Sequence, residues 1–297
     1  MIAVDVMGGD RAPQVVLEGG LAAARTSVPI AFYGPGTMIE QWLDAKDSFW
    51  RTYAITVVDA PEVIDMAAEP VSAVRKKTNS SLVRAVASVS SGKSTAVVSA
   101  GNSGALMAAS TLFIGKQEGV ERPAIAGFLP SPQGRVLVLD LGANTDCRSH
   151  HLQQFAHMGV NYLTHLTKNI RPRVGVLSNG HEPGKGNVIV KETHKLLQKD
   201  TLNFIGNVEP YDIFAGRVDV VVCDGFVGNV LLKTMESVAE QVHTDTAAKD
   251  EMYPVRGGAL LLGVKGVVLV CHGNADARAI EQALVQAWNV SHRNNYK

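Results

Sequence analysis

The chain has 297 residues, of which 46% are hydrophobic, and its 28 basic and 28 acidic side chains give a formal net charge of zero. This composition is typical of a globular α/β enzyme and excludes a disordered or fibrous chain. Because a balanced charge creates no global field that attracts nucleic acid, we expect no nucleic-acid partner.

The N-terminal residues and the cysteines favour a cytoplasmic location. The opening run MIAVDV has no basic leader and contains Asp5, unlike a signal peptide. The longest apolar stretch, residues 259–271, contains Lys265 and is too short to span a bilayer. The three cysteines lie far apart in sequence and predict reduced thiols rather than a redox pair.

Nine short apolar runs, rich in β-branched residues, predict strands that alternate with amphipathic helices. The predicted strands span residues 2–7, 30–34, 54–60, 95–100, 135–141, 173–178, 202–206, 219–224 and 266–271. The predicted helices span residues 105–117, 151–168, 188–200, 229–242 and 277–290. This alternation is typical of parallel strands joined by crossover helices, so we predict an α/β fold.

Six predicted strands end in a loop that carries glycine beside asparagine or aspartate. The loops are VMGGD (6–10), SAGNSG (99–104), DLGANTD (140–146), SNGHEPGKGN (178–187), CDGFVGN (223–229) and CHGNAD (271–276). In an open parallel sheet, ligands bind at the carboxyl ends of strands, and glycine lets backbone N–H groups approach an anion closely. We therefore expect an anionic ligand along one edge of the sheet. The alternative is ordinary turn and helix-cap chemistry in each loop.

Two glycine-containing segments resemble nucleotide-binding motifs but lack required residues. SSGKST (90–95) follows Ala87, where a phosphate loop needs glycine, and precedes a predicted strand rather than a helix. GPGTMI (34–39) has Ile39 where the dinucleotide fingerprint needs glycine or alanine. We therefore expect no nucleotide and no other cofactor.

The sequence contains neither a metal-binding pattern nor a serine nucleophile motif. His150, His151 and His157 lack the i, i+4 spacing of paired ligands, and no carboxylate or cysteine nearby completes a set. No G-x-S-x-G motif is present. We expect no bound metal and no covalent serine mechanism.

Ten sequence blocks, in order along nearly the whole chain, resemble the phosphate acyltransferases of bacterial phospholipid synthesis. They include DVMGGDRAP (5–13), RKKTNSSL (75–82), SAGNSGALMAA (99–109), LDLGANTDC (139–147), HLQQFAHMG (151–159), KGNVIVKETHKLL (185–197) and DVVVCDGFVGNVLLKTMES (219–237). The resemblance implies a three-layer α/β/α architecture with a mostly parallel sheet, similar to isocitrate and isopropylmalate dehydrogenases. It also implies a single phosphate acyltransferase domain over residues 1–297, with two lobes around a cleft.

The same resemblance implies a reaction and its partners. Members of this family transfer an acyl group from acyl carrier protein to inorganic phosphate, which gives acyl phosphate for phospholipid synthesis. The implied partners are acyl carrier protein, inorganic phosphate, a membrane acyltransferase that uses acyl phosphate, and a second copy of the chain. Phosphate is largely dianionic at pH 7, and a thiolate with a pKa of about 8.5 leaves readily. Positioning and electrostatic stabilisation should therefore matter more than a strong base.

The needs of this transfer select candidate residues in the six loops. The predicted phosphate- or substrate-binding residues are Gly8, Gly9, Ser99, Gly101, Asn102, Ser103, Gly104, Lys185, Gly186, Asn187, Asp224 and Gly225. The predicted catalytic residues are Asp10, Asn144, His151 and Asn229. Asn144 and Asn229 are alternatives for the oxyanion donor, because a neutral amide polarises a carbonyl without proton transfer.

The acidic and titrating candidates have other expected roles. Asp5, Asp10, Asp140 and Asp224 carry the wrong charge for a phosphate cradle, so we expect them to orient donors or accept a phosphate proton. His151 is either the titrating residue or a structural cap at the start of a helix.

Two features depart from the family pattern. The polar segment within residues 243–256 is shorter than the helical stretch of relatives, which bears on dimer formation and membrane docking. Tyr211 stands where the family often has arginine, so one cation is missing. We expect a cytoplasmic protein with at most weak membrane association. A non-catalytic scaffold that binds acyl carrier protein, and a dehydrogenase on the related fold, are the alternative functions.

Overall fold

All nine predicted strands form in the computed structural model, which describes residues 1–167, 171–242 and 257–292. The chain divides into unit 1, Met1–Glu118 with Arg256–Lys297, and unit 2, Gly119–Val255. The sequence pattern did not locate this division.

Unit 1 alternates strands and helices along the chain. Its strands are β1 (Ile2–Asp5), β2 (Ile30–Gly34), β3 (Ile55–Asp59), β4 (Ala96–Ser99), β10 (Ala259–Leu262) and β11 (Val267–Val270). Its helices are α1 (Gln14–Arg25), α2 (Gly36–Lys46), α3 (Pro70–Lys76), α4 (Ser81–Ser90), α5 (Ser103–Ala109) and α10 (Ala277–His292). The strands are ordered β3-β2-β1-β4-β11-β10, and each neighbouring pair is parallel except β11 with β10.

Helix packing in unit 1 follows from apolar spacing. In α10, Ile280, Ala283, Leu284 and Ala287 recur at i, i+3, i+4 and i+7 and are buried, as expected for an amphipathic helix on a core. A Cβ atom on Gly19 of α1 would lie 2.7 Å from the Ile280 Cβ. Glycine at this position therefore permits the close approach of α1 to α10.

Unit 2 has the same alternation around its own strands. The strands are β5 (Ala124–Ser131), β6 (Gly134–Leu139), β7 (Val174–Leu177), β8 (Phe204–Val208) and β9 (Val220–Val222). The helices are α6 (Ser149–Thr167), α7 (Val188–Leu197), α8 (Pro210–Phe214) and α9 (Gly225–Val242). The order is β5-β6-β9-β7-β8, with β5 antiparallel to β6 and the other pairs parallel.

The mostly parallel strands with flanking helices confirm the predicted α/β class. The predictions missed β5 and β10, which both pair antiparallel with a neighbour that was predicted. They also missed α1 to α4 and α8, and placed the start of α9 four residues late. The predicted helix 105–117 begins earlier, at Ser103, and changes to a π-helical turn over Ser110–Ile114. The expected cleft between two lobes stays a prediction.

Candidate functional site

Three of the six glycine-containing loops lie side by side in unit 1. They follow β1, β4 and β11, which are parallel neighbours, with Val4 opposite Val98 and Val98 opposite Leu269. Parallel neighbours end at the same edge of a sheet, so the loops 6–10, 99–104 and 271–276 form one cluster. The backbone N–H of Asp10 donates to the Gly273 carbonyl at 2.8 Å, which joins the first loop to the third.

The Asp5 side chain forms hydrogen bonds that hold this cluster of loops. It is buried and accepts hydrogen bonds from the hydroxyls of Ser81 and, at 2.7 Å, Ser99. Burial raises the pKa of Asp5, while these two hydrogen bonds oppose the shift. The Ser99 hydroxyl also accepts the Gly101 N–H at 3.0 Å. Ser99 therefore supports the loop rather than facing a ligand. Ser81 has the same supporting role, although the sequence pattern did not single it out.

The glycines of this cluster bring backbones together. A Cβ atom on Gly8 would lie 2.6 Å from the Gly101 nitrogen, and one on Gly104 would lie 2.7 Å from a ring carbon of Pro70. Gly9 has a φ of +113°, a backbone conformation that residues other than glycine rarely adopt. Close packing thus explains the glycines at 8, 101 and 104, and a ligand contact at these positions stays a prediction.

Asn102 has a structural role in this loop. Its Oδ1 caps α5 by accepting the Ala105 N–H at 2.9 Å. Its Nδ2 donates to the carbonyls of Met66 and Ala68, both at 3.0 Å. Both ends of this amide have hydrogen-bond partners in this arrangement, and its use as a phosphate donor stays a prediction. Ser103 and Asp10 have exposed side chains, and their predicted roles stay predictions.

The other three loops gather in the same way in unit 2. They follow β6, β9 and β7, which are parallel neighbours in that order. Each unit therefore places three predicted loops at one edge of its own strands.

The Asp140 side chain is the centre of the unit 2 loops. It is fully buried, and its Oδ1 accepts the backbone N–H groups of Ile125, Gly142 and Ala143 at 3.0, 3.1 and 2.9 Å. Its Oδ2 accepts the backbone N–H and the side-chain Nδ2 of Asn144 at 2.7 and 2.8 Å. Burial raises the pKa of Asp140, and the N–H donors act in the opposite direction. We call Asp140 with these five donors the Asp140 frame.

Asn144 and Asn229 differ in the availability of their amides. Asn144 is buried and donates from Nδ2 to the Pro123 carbonyl at 2.8 Å as well as to Asp140, so both N–H groups are used. Neither N–H group of Asn144 is open to a ligand in this arrangement, and its role as an oxyanion donor stays a prediction. Asn229 lies against Gly142, with its Cγ 3.5 Å from where a Gly142 Cβ would be. Its amide has no hydrogen bond to the described residues, so it remains the candidate donor.

The start of α9 fits closely against the Asp140 frame. The Gly225 N–H donates to the Asn144 carbonyl at 2.7 Å, and a Cβ on Gly228 would lie 1.9 Å from the Asp140 carbonyl oxygen. Asp224 accepts the Val227 N–H at 2.8 Å and thus caps the helix. The predicted role of Asp224 in orienting cations or binding substrate is not supported by this contact, and Gly225 serves packing.

The loop 178–187 holds the only predicted cation of the substrate-binding set, Lys185. The Gly186 N–H donates to the Asn179 side chain at 2.8 Å, and Asn187 caps α7 by accepting the Val190 N–H at 2.9 Å. Gly186 and Asn187 therefore shape the loop. The Lys185 side chain is exposed and forms no ion pair with the residues described, so it is available to an anion.

His151 serves as a structural cap. Its Nδ1 accepts the Arg148 N–H at 3.0 Å, and its Nε2 lies 3.2 Å from Glu121 Oε2. Burial lowers the pKa of His151, and His150 and Arg122 lower it further. Of the two expectations, these contacts favour the cap over the titrating residue.

The structure brings Glu121, remote in sequence, to both His150 and His151, with their possible ligand atoms within 4.8 Å of one another. Because Nδ1 of His151 accepts a backbone N–H, its neutral ring carries the proton on Nε2. That nitrogen has no lone pair for a metal ion. In this tautomer the His151 Nε2–H donates to the Glu121 carboxylate, so the contact is a hydrogen bond.

The cysteines are buried and free. Burial raises the pKa of Cys147 to about 11 and that of Cys271 to about 12, and it raises that of Cys223 as well. All three therefore stay protonated near neutral pH and are poor nucleophiles.

Comparison with known proteins decides the family. The description of the matching family, over residues 1–253, is fatty acid synthesis protein. A relative from Desulforamulus reducens named phosphate acyltransferase is 44% identical over 306 aligned residues, which cover 95% of this chain and 91% of the relative. The chain belongs to the phosphate acyltransferase family. It is thus a member of the acyltransferase class of enzymes, as the sequence blocks predicted.

Solved structures outside this family share the fold. A phosphotransacetylase from Streptococcus pyogenes matches with a TM-score of 0.65 at 17% identity, over 97% of this chain and 93% of that one. A 4-hydroxythreonine-4-phosphate dehydrogenase from Klebsiella pneumoniae matches with a TM-score of 0.62 at 15% identity, over 98% and 99%. At these identities the likeness concerns the fold, which dehydrogenases and acyltransferases share.

The two departures from the phosphate acyltransferase pattern have different outcomes. Residues 243–256 lie outside the described residues, so the expectations about them stay predictions. Tyr211 is exposed, and the Arg217 guanidinium lies 5.0 Å from its ring centroid. The Arg217 cation thus lies beside Tyr211, the position at which the family often has arginine. None of the described helices is long and apolar enough to cross a membrane.

Proposed function

We propose that this chain transfers a fatty acyl group from acyl carrier protein to inorganic phosphate. The observation that carries the proposal is the Asn229 amide, which has no hydrogen-bond partner in the described part of the chain and lies beside the Asp140 frame, in a chain of the phosphate acyltransferase family. A preorganised neutral donor next to a fixed backbone is the arrangement that stabilises a developing oxyanion.

In the proposed reaction, a phosphate oxygen attacks the thioester carbonyl carbon and forms a C–O bond. The carbonyl oxygen becomes an oxyanion that the Asn229 N–H stabilises. The C–S bond then breaks, the carbonyl re-forms, and the thiolate leaves and takes a proton from solvent. The Lys185 ammonium holds the phosphate by charge. The buried, protonated cysteines take no part.

The remaining partners are proposals of the same kind. Acyl carrier protein donates the acyl group, and a membrane acyltransferase consumes the acyl phosphate. The chain acts as a homodimer in the cytoplasm with at most weak membrane association. The fatty acid synthesis family supports the first of these partners.

The test is incubation of the purified chain with acyl-acyl carrier protein and phosphate, with free thiol and acyl phosphate both measured. We expect equal amounts of the two products, and thiol release that depends on phosphate. Thiol release without acyl phosphate would indicate hydrolysis, and binding of the carrier without either product would favour a scaffold.

A further inference from the structure

Unit 2 contains a cavity of about 1100 Å³ beside α9. One face of the helix supplies an apolar wall, because Val227, Val230, Leu231, Thr234 and Val238 recur every three or four residues. From Val230 to Val238 this wall extends about 12 Å along the helix axis. Binding sites for small molecules have volumes of roughly 300–1000 Å³ and mainly apolar walls with a few polar groups. The cavity has the size and lining of such a site.

The polar part of the lining comes from one loop. Ser178, Asn179, Gly186 and Asn187 of the loop 178–187 all line the cavity. The Ser178 hydroxyl is buried and has no hydrogen-bond partner among the residues described. A buried hydroxyl without a partner is uncommon in folded proteins and marks a polar point in a mainly apolar lining. Lys185, the proposed phosphate ligand, lies in the same loop.

Helix α9 contacts both the Asp140 frame and the cavity. Gly225, Gly228 and Asn229 contact that frame, whereas Val230 and Thr234 face the cavity. Consecutive side chains on a helix are about 100° apart, so a carbonyl held by Asn229 is adjacent on the helix surface to Val230 of the apolar wall. A linear chain attached to such a carbonyl can follow the helix into the cavity.

We propose that this cavity binds the acyl chain of the donor and that Val230, Thr234 and Val238 set its length preference. The inference rests on the proposed function, because acyl transfer is what makes a fatty acyl chain the ligand. A second copy of the chain is the alternative occupant of this wall, and the test distinguishes the two.

The chain offers a matched pair of variants on α9. Thr234 and Ser237 are both exposed, and each hydroxyl donates at 2.8 Å to the carbonyl four residues earlier, of Val230 and Lys233 respectively. Thr234 lines the cavity and Ser237 does not. Thr234→Phe places a ring in the cavity, and Ser237→Phe places the same ring at a position of α9 that does not line the cavity. Val230→Thr, which keeps the shape and adds a hydroxyl, is a second variant that retains the fold.

The first measurement is the KM for donors with 4, 8, 12 and 16 carbons. For the unaltered chain we expect KM to fall by up to about fourfold for each methylene that enters the cavity. Thr234→Phe should reduce the preference for 16 over 8 carbons by roughly tenfold, the contribution of about two methylenes. Val230→Thr should reduce it in the same direction, and Ser237→Phe should leave it unchanged. Equal profiles for the two phenylalanine variants would overturn the proposal.

The second measurement does not depend on catalysis. Calorimetric titration with hexadecanoate should show binding to the unaltered chain and to Ser237→Phe, and at least about tenfold weaker binding to Thr234→Phe. If no donor gives acyl phosphate but this binding pattern holds, the proposed function fails and the cavity stands. If Thr234→Phe only converts a dimer to a monomer by light scattering, with unchanged hexadecanoate affinity, the wall is an interface between copies and the proposal fails.

Discussion

Replacing Asp140 with asparagine tests whether the Asp140 frame holds the unit 2 loops in place. The carboxyl accepts three N–H groups on Oδ1 and two on Oδ2, and the side chain is fully buried. An asparagine amide has one acceptor oxygen, so its NH₂ group must face either the three or the two donors. At least two buried N–H groups therefore lose their acceptor.

The expected cost follows from those two orphaned donors. At about 2 kcal/mol each, they destabilise the fold by about 4 kcal/mol. The neutral amide avoids the cost of burying a carboxylate, so we expect a net loss of about 3 kcal/mol. With an m-value of about 3 kcal/mol per molar, the urea midpoint of unfolding falls by about 1 M.

The assay is urea unfolding followed by circular dichroism, with Asp224→Asn as the matched control. Asp224 lies at the same edge, but its single contact caps α9, and asparagine caps a helix as well as aspartate does. The control should unfold within about 0.5 kcal/mol of the unaltered chain. An Asp140→Asn variant as stable as this control would refute the role of the Asp140 frame.

Three further changes give independent tests. Asn229→Ala should lower kcat by about 10²- to 10³-fold with little change in the KM for phosphate, because it removes an oxyanion donor; an unchanged kcat would exclude that role. Lys185→Ala should raise the KM for phosphate more than the KM for the acyl donor in steady-state assays, and the opposite result would place the phosphate elsewhere. Burial would raise the pKa of Asp200, but hydrogen bonds from Gln153 and His157 lower it to about 2. The stability that ionised Asp200 contributes is therefore present above about pH 4 and lost as the pH falls through 2. Asp200→Asn should lower the free energy of unfolding by about 2 kcal/mol at pH 7 and by progressively less below pH 4. Urea unfolding at each pH measures this difference, and a constant difference would contradict the assignment.

Local pattern was enough for much of the architecture and for the positions of the loops. Buried parallel strands need apolar residues on both faces, so runs such as residues 30–34 are visible in sequence. Asn102 and Asn187 precede helices and cap them, as short polar side chains do. Strand β10 was missed because it lies in the same apolar stretch, residues 259–271, as the predicted strand β11, and β5 was missed because Gly127 and Pro130 interrupt its apolar run.

The sequence by itself determined the fold class, the six loops at the strand ends and the phosphate acyltransferase family. Only the tertiary structure decided which side chains in those loops are available to a ligand. Each polar side chain has a fixed number of donors and acceptors, and in several of these loops residues distant in sequence form hydrogen bonds with them. The Pro123 carbonyl accepts the second N–H of the Asn144 amide, and the Ser81 hydroxyl donates to Asp5. The Glu121 carboxylate lies within hydrogen-bond distance of His151 Nε2. The Asn229 amide has no such partner among the described residues. The glycines at the start of α9 bring it against Gly142, which does not form a hydrogen bond with it.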